Sequence, residues 1–361
     1  MRRRGLEVLG LGFLIACGSA ATSPPSDGPG RADSGSSSSG GSSGGSSGSG
    51  ALGDASASSS SGSSGGGSSD AGQSAASDAT TPSEAGGSTG TGPTSTFLPP
   101  VQGTCPTIAT GTQTFAGEPV QIWAGAAPAA QPGSLVIYWY GTGGQSEDAA
   151  LFFGQAQINA VTAAGGIVAA IETSNKQGTD TGDAVWYTGD FATADQIVAC
   201  ALQQKWIDPR RIYTTGDSAG GLQATWMAYA RSGYLAAVAP LSGGLAGADG
   251  VYAAPTKSPQ DPTNVPSAIV THGAAGVDVV VIDFAVASAA YEADIASKGG
   301  FSVDCNTGGG HVSGPPAICP AIWQFFQDHP FKTKDTYPSG LPSVFPSYCQ
   351  IGPREADGGP I

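Results

Sequence analysis

Basic residues are scarce in this sequence. Its 361 residues hold 14 Lys and Arg against 28 Asp and Glu, for a formal net charge of −14. No basic stripe is present, which argues against a nucleic-acid partner. The excess of acid speaks for a soluble chain, and a monomer is expected. CxxC pairs and His/Cys metal spacings are missing, so neither a metal nor another cofactor is expected. Histidine is nearly missing as well. The three present are His272, His311 and His329, which leaves few candidates for a catalytic base.

Glycine and serine are abundant, and they are concentrated. From residue 18 to about residue 95 the chain is mostly Ser, Gly, Ala, Asp and Thr, as in "SGSSSSGGSSGGSSGSG". Such a segment has too little apolar surface to offset its ordering entropy, and it reads as a flexible tether. As a Gaussian coil it spans on the order of 50 Å. Ahead of it lies "MRRRGLEVLGLGFLIACGSA". Arg2, Arg3 and Arg4 form a basic start, and residues 6–16 form an apolar stretch too short for a permanent membrane span. That is the pattern of a secretory signal. Leu14, Ile15, Ala16 and Cys17 resemble a bacterial lipobox. Lipidation of Cys17 would anchor the chain to a membrane; the alternative is an ordinary signal peptide with a chance cysteine. The expected division is 1–17 signal, 18–96 tether and 97–361 folded domain, on a protein exported and either lipid-anchored or secreted.

With Cys17 lipidated, Cys105, Cys200, Cys305, Cys319 and Cys349 remain. Export permits disulfides, and an odd number leaves one cysteine over. Cys200 lies within a helical pattern and is expected to be a buried free thiol. Cys305 and Cys319 flank a glycine-rich loop and are expected to pair.

In the folded part, the continuous apolar runs 134–140 ("SLVIYWY") and 166–172 ("GIVAAIE") suit strands buried on both faces. Further strands are expected at 120–123, 211–215, 236–241, 267–271 and 301–305, with Asp208-Pro209 as a turn ahead of 211. Helical spacing occurs over 190–206, 222–231, 283–298 and 317–328, with Asp283 as an N-cap. This alternation predicts an α/β domain with a mostly parallel sheet covered on both faces, in which function gathers at the carboxyl ends of the strands.

At the end of the strand 211–215 stands "GDSAGG". Gly216-x-Ser218-x-Gly220 in a strand–turn–helix setting marks a nucleophile held on a sharp turn. Glycines are needed there because the serine backbone is strained and neighbouring side chains would collide. A trypsin-like site is excluded, because those enzymes place their histidine before the serine, and all three histidines here follow Ser218. His311, in "CNTGGGHVSG", is the expected base. His272 is expected to pack or cap, and His329 to be peripheral. The acid should follow the strand 267–271: Asp278 is favoured over Asp283, which is needed as a helix cap. "WYGTGGQSED" supplies an oxyanion loop, with backbone N–H groups from Thr142 or Gly143 joining that of Ala219. In the long connection "TSNKQGTDTGDAVWYTGD", Trp186 and Tyr187 either roof a substrate pocket, with Tyr140 beside them, or plug the loop from beneath. Asp180 and Asp183 read as a solvated turn, too sparse for calcium.

Taken together, Ser218, Asp278, His311 and "YGTGG" resemble the α/β-hydrolase fold. "YWYGTGG", "DQIVACALQQKWIDPRRIYTTGDSAGG", "VTHG" and "GGGHVSGPPAICPAIWQFFQDHPF" are similar to secreted bacterial esterases of the polyhydroxybutyrate-depolymerase-like and feruloyl-esterase-like kind, over about residues 105–331. The chain departs from that pattern at three points. Tyr140 stands where the oxyanion loop usually has histidine. Asp217 and Val312 occupy the positions at which tannase-like feruloyl esterases carry a disulfide. No segment reads as a carbohydrate- or polymer-binding module. The resemblance implies a serine esterase acting on feruloyl or acetyl esters of polysaccharides, or on hydroxyalkanoate esters. A non-catalytic glycan- or polymer-binding surface lipoprotein on the same scaffold is the alternative, and a peptidase is a third reading for which no residue selects.

Overall fold

A computed structural model describes residues 92–126, 128–245, 258–334 and 336–353. The signal segment, Cys17 and tether residues 18–91 lie outside the described residues.

In chain order the elements are β1 (Gly111–Phe115), β2 (Glu118–Ala124), β3 (Gly133–Trp139), α1 (Gln155–Ala163), β4 (Ile167–Ile171), β5 (Asp180–Gly182), β6 (Trp186–Tyr187) and α2 (Phe191–Gln203). They continue with β7 (Ile207–Asp217), α3 (Ala219–Ala230), β8 (Ala237–Leu241), β9 (Ser267–His272), α4 (Phe284–Ser297), β10 (Ser302–Asn306), α5 (Pro315–Asp328) and β11 (Cys349–Ile351). Nine strands form one sheet in the order β1-β2-β4-β3-β7-β8-β9-β10-β11, and β5 and β6 form a separate hairpin. The six strands from β4 to β10 run parallel. β1, β2 and β11 close the two edges antiparallel.

β3 is buried along its whole length, which is why its sequence is apolar without alternation. Leu135, Ile137 and Trp139 join Ile197 and Val198 of α2, Met227 of α3 and Tyr291 of α4 in one core. Val136 and Tyr138 join Ile158 and Val161 of α1 with Ile318, Ile322 and Phe325 of α5 in the other. Helices thus cover both faces of the sheet, and the carboxyl ends of β3, β7, β8 and β9 are left to loops.

Several expectations are corrected. Asp208-Pro209 does not break the chain; it lies inside β7, where the register against β3 shifts between Gly133 and Leu135. An irregular stretch tolerates a residue without an N–H. α2 stops at Gln203 rather than Trp206: Lys205 takes φ 61°, and the Trp206 N–H turns back to the Ala201 carbonyl at 2.9 Å. Cys200 is not free but bonded to Cys105 ahead of β1. Cys305 pairs with Cys349, not Cys319, because β11 returns antiparallel and sets Cys349 directly opposite Cys305. Cys319 is the free thiol among the described residues, buried on α5, where burial pushes its pKa up to about 12. Among the described residues no helix is long and apolar enough to cross a membrane.

Candidate active site

β7 delivers Ser218 to the carboxyl edge of the sheet, and α3 starts at the next residue. Ser218 sits at φ 53°, ψ −121°, a strained conformation for a residue with a side chain. The flanking glycines make the turn possible by their lack of bulk. A Cβ on Gly220 would lie 2.0 Å from the Trp139 carbonyl oxygen, and one on Gly216 would lie 2.5 Å from the Gly220 oxygen. The elbow is thus pressed against the end of β3, and the Ser218 N–H is tied to the Leu241 carbonyl of β8 at 2.9 Å.

His311 Nε2 stands 2.8 Å from Ser218 Oγ, and its Nδ1 stands 2.7 Å from Asp278 Oδ1. Residues 93 and 33 positions apart in sequence are joined in one line of hydrogen bonds. Asp278 is wholly buried. Burial alone would raise its pKa, but the hydrogen bonds from His311, the Gly273 N–H and Ser242 outweigh burial and hold it below the ordinary carboxylate value. An ionised Asp278 only accepts, so Nδ1 of His311 carries the proton and Nε2 is left to accept from the serine hydroxyl. Asp283 stays out of this line. It caps α4, accepting from the Ala285 and Val286 N–H groups, and its other oxygen accepts from the Gly276 N–H at 2.7 Å.

The loop after β3 passes directly over the elbow. A Cβ on Gly141 would come within 3.0 Å of the Ser218 Cβ. Trp186 Nε1 donates to the Tyr140 carbonyl at 2.8 Å, the Tyr140 hydroxyl donates to the Glu172 carbonyl at 2.8 Å, and Thr142 Oγ1 donates to Asp183 Oδ2 at 2.8 Å. Gly144 closes the turn on the Gly141 carbonyl at 2.9 Å, with Gly143 at φ 77°. Ala219 is buried at the head of α3. Thr142, Gly143 and Ala219 are therefore all held at the edge where Ser218 emerges. Trp186 does not roof a pocket: it is fully buried, edge-on to Trp139 at 5.0 Å, and plugs the loop from beneath. Tyr140 packs on it at 4.7 Å, and Tyr187 is half-buried beside it. Asp183 does not point only to water, since it anchors Thr142.

Several contributors to this edge had no role assigned to them from the sequence. Asp217 is buried beside the nucleophile and accepts from the Tyr138 hydroxyl at 2.6 Å. Burial pushes its pKa up to about 7 against the opposing effect of that bond. Ser242, just past β8, bonds both Asp278 and the backbone of Val312. Its only sequence signal was its place after a buried parallel strand. The outer side of the Asp278 loop is apolar, with Val277, Val279, Val280 and Val281 exposed.

The other two histidines stand apart. His272 does pack within the core, with Nε2 2.7 Å from Asp304 Oδ1 and Nδ1 2.6 Å from the Gly273 carbonyl. His329 is not peripheral but fully buried, stacked on Phe325 at 4.0 Å, because the chain after α5 folds back over it and brings Thr336 Oγ1 to its Nε2. Among the described residues no group of His, Cys, Asp and Glu is arranged to hold a metal ion.

Neither a protein-family model nor a curated protein sequence matches the chain. Solved structures do. The native structure of sOPH superposes with a TM-score of 0.52 at 15% identity, over 69% of this chain and 97% of that one. Native pOPH gives 0.48 at 16%, over 69% and 97%. A ferulic acid esterase gives 0.44 at 14%, over 61% and 95%. The sheet order, the strand–elbow–helix turn and the sOPH likeness define an α/β-hydrolase fold.

Proposed function

We propose that the protein is a carboxylic ester hydrolase working through Ser218, His311 and Asp278. The observation that carries this reading is the continuous line from Ser218 Oγ through both ring nitrogens of His311 to a buried carboxylate, at 2.8 and 2.7 Å. Ser218 Oγ attacks the ester carbonyl carbon while its proton passes to His311 Nε2. The carbonyl oxygen becomes anionic opposite the N–H of Ala219 and that of Thr142 or Gly143. Asp278 remains ionised and stabilises the imidazolium. Collapse breaks the bond to the alcohol, which leaves with the proton from Nε2. Water then gives a proton to Nε2 and attacks the acyl-enzyme; release of the acid returns the proton to Ser218.

Feruloyl or acetyl esters of polysaccharides and hydroxyalkanoate esters are the proposed substrates. Export, with a lipid anchor on Cys17 or by secretion, is part of the same proposal. Two disulfides among the described residues suit an oxidising compartment.

The test is hydrolysis of p-nitrophenyl acetate, p-nitrophenyl butyrate, methyl ferulate and a hydroxybutyrate oligomer. Turnover of at least one is expected, and its complete loss in Ser218→Ala. Turnover unchanged in that variant would overturn the mechanism. Binding of a glycan or polymer without any turnover would favour the non-catalytic alternative.

A further inference from the structure

We propose that Ser242 is a positioning residue of this site, locking the acid and the histidine loop into one unit. The inference rests on the hydrolase reading above.

Ser242 follows β8 and is almost completely buried. Its N–H donates to the Thr271 carbonyl of β9 at 2.7 Å, which fixes its backbone across two strands. Its hydroxyl does two jobs. Oγ donates to Asp278 Oδ2 at 2.8 Å and accepts from the Val312 N–H at 3.0 Å. Val312 is the residue after His311. One hydroxyl therefore ties the carboxylate to the backbone that carries the imidazole.

The partition of Asp278 follows from this. Oδ2 is occupied by Ser242 and by the Gly273 N–H at 2.8 Å, and Oδ1 is turned to His311 Nδ1. Without Ser242 the carboxylate could rotate, and the ring would lose its fixed direction towards Ser218. The backbone points the same way. Ser242 lies at φ 42° and Val312 at φ 46°, a region that side chains rarely adopt, above all β-branched ones. Two strained residues joined by one hydrogen bond indicate a constraint maintained at the expense of local comfort.

Two variants separate loss of the hydroxyl from relief of the backbone strain at Ser242. Ser242→Gly removes the hydroxyl but relieves the positive φ, whereas Ser242→Ala removes the hydroxyl and keeps the strain. With p-nitrophenyl acetate, kcat is expected to fall on the order of 10²-fold in both variants, with KM little changed. The glycine variant should melt no lower than the alanine variant. A far-downfield NMR resonance from His311 Nδ1–H is expected in the wild type and should broaden or vanish in both. Retention of wild-type kcat in either folded variant, while Ser218→Ala is inactive, overturns the proposal. So does loss of the fold in both, which would make the role structural. A wild type without turnover, or an active Ser218→Ala, instead brings down the hydrolase reading beneath it.

Discussion

Asp278 and Asp283 divide two tasks on a single loop. The Phe284 N–H donates to the Asp278 carbonyl at 2.8 Å, so the start of the helix that Asp283 caps also fixes the backbone of Asp278. One carboxylate faces His311; the other holds the loop and the helix. Substitution should separate the two roles. Asp278→Asn is expected to lower kcat by about 10⁴-fold, since it removes the acceptor that sets the histidine tautomer. Asp283→Ala should keep most activity and lose about 1 kcal/mol of stability as a broken N-cap. Steady-state kinetics and denaturant midpoints on both variants check this; comparable activity losses in the two would show that the roles are not divided.

The two buried histidines should give the stability opposite pH slopes. Burial would lower the His272 pKa, but the hydrogen bond and charge of Asp304, helped by the Gly273 carbonyl, outweigh it and the net shift is upwards from 6.5. Its stabilising contribution is full below about pH 6.5 and is lost as pH rises through the elevated folded value. Burial lowers His329 to about 4. The unfolded chain then takes up that proton first, and stability is lost as pH falls from about 6.5 towards about 4. Urea midpoints across this range should flatten on the alkaline side in Asp304→Asn and on the acid side in His329→Gln. Unaltered slopes would contradict the assignment.

Gly220 should tolerate no side chain. Its Cβ would meet the backbone oxygens of Trp139 at 2.0 Å and Tyr140 at 2.7 Å, and backbone cannot swing aside as a side chain can. Gly220→Ala is expected to cost about 3 kcal/mol or more, by overpacking, and to abolish turnover because the elbow and oxyanion loop are forced apart. A thermal melt and a p-nitrophenyl acetate assay decide it; a stable, fully active variant would refute the crowding argument.

The disulfides should contribute unequally. Cys105–Cys200 spans 95 residues and Cys305–Cys349 spans 44. On chain entropy alone the longer loop stabilises by about 0.7 kcal/mol more. Serine pairs replacing each bridge, compared by denaturant midpoint, test the order. Alkylation mapped by mass spectrometry should find Cys319 unreactive in the native protein and labelled only after unfolding, as its burial requires.

The strands and helices that position the site were legible because each is buried on a fixed period. β3, β4 and α2 announce themselves by apolar runs or helical spacing. β1 and the β5–β6 hairpin did not, since "GTQTF" and "DTG" are short, polar and stable only as edges or covers. α1 carries just two buried side chains, Ile158 and Val161, too few for a pattern. The serine was legible because its turn admits only glycine at Gly216 and Gly220, and that requirement is local. Ser242 and Asp217 were not, because a serine before two glycines and an aspartate before a serine carry no local requirement.

By itself, then, the sequence determined the strand–turn–helix at Ser218 and the alternation that makes a parallel sheet, because sterics and burial act over neighbouring residues. Tertiary structure alone decided which cysteines meet, that Trp186 plugs rather than roofs, and that His329 is buried. Those outcomes depend on which distant segments cross, and crossing is set by the packing of whole strands and helices. The choice of Asp278 over Asp283 lay between the two. The need for Asp283 as a helix cap favoured it, and what distinguishes the two in the fold is the hydrogen bond between His311 and Asp278 across 33 residues.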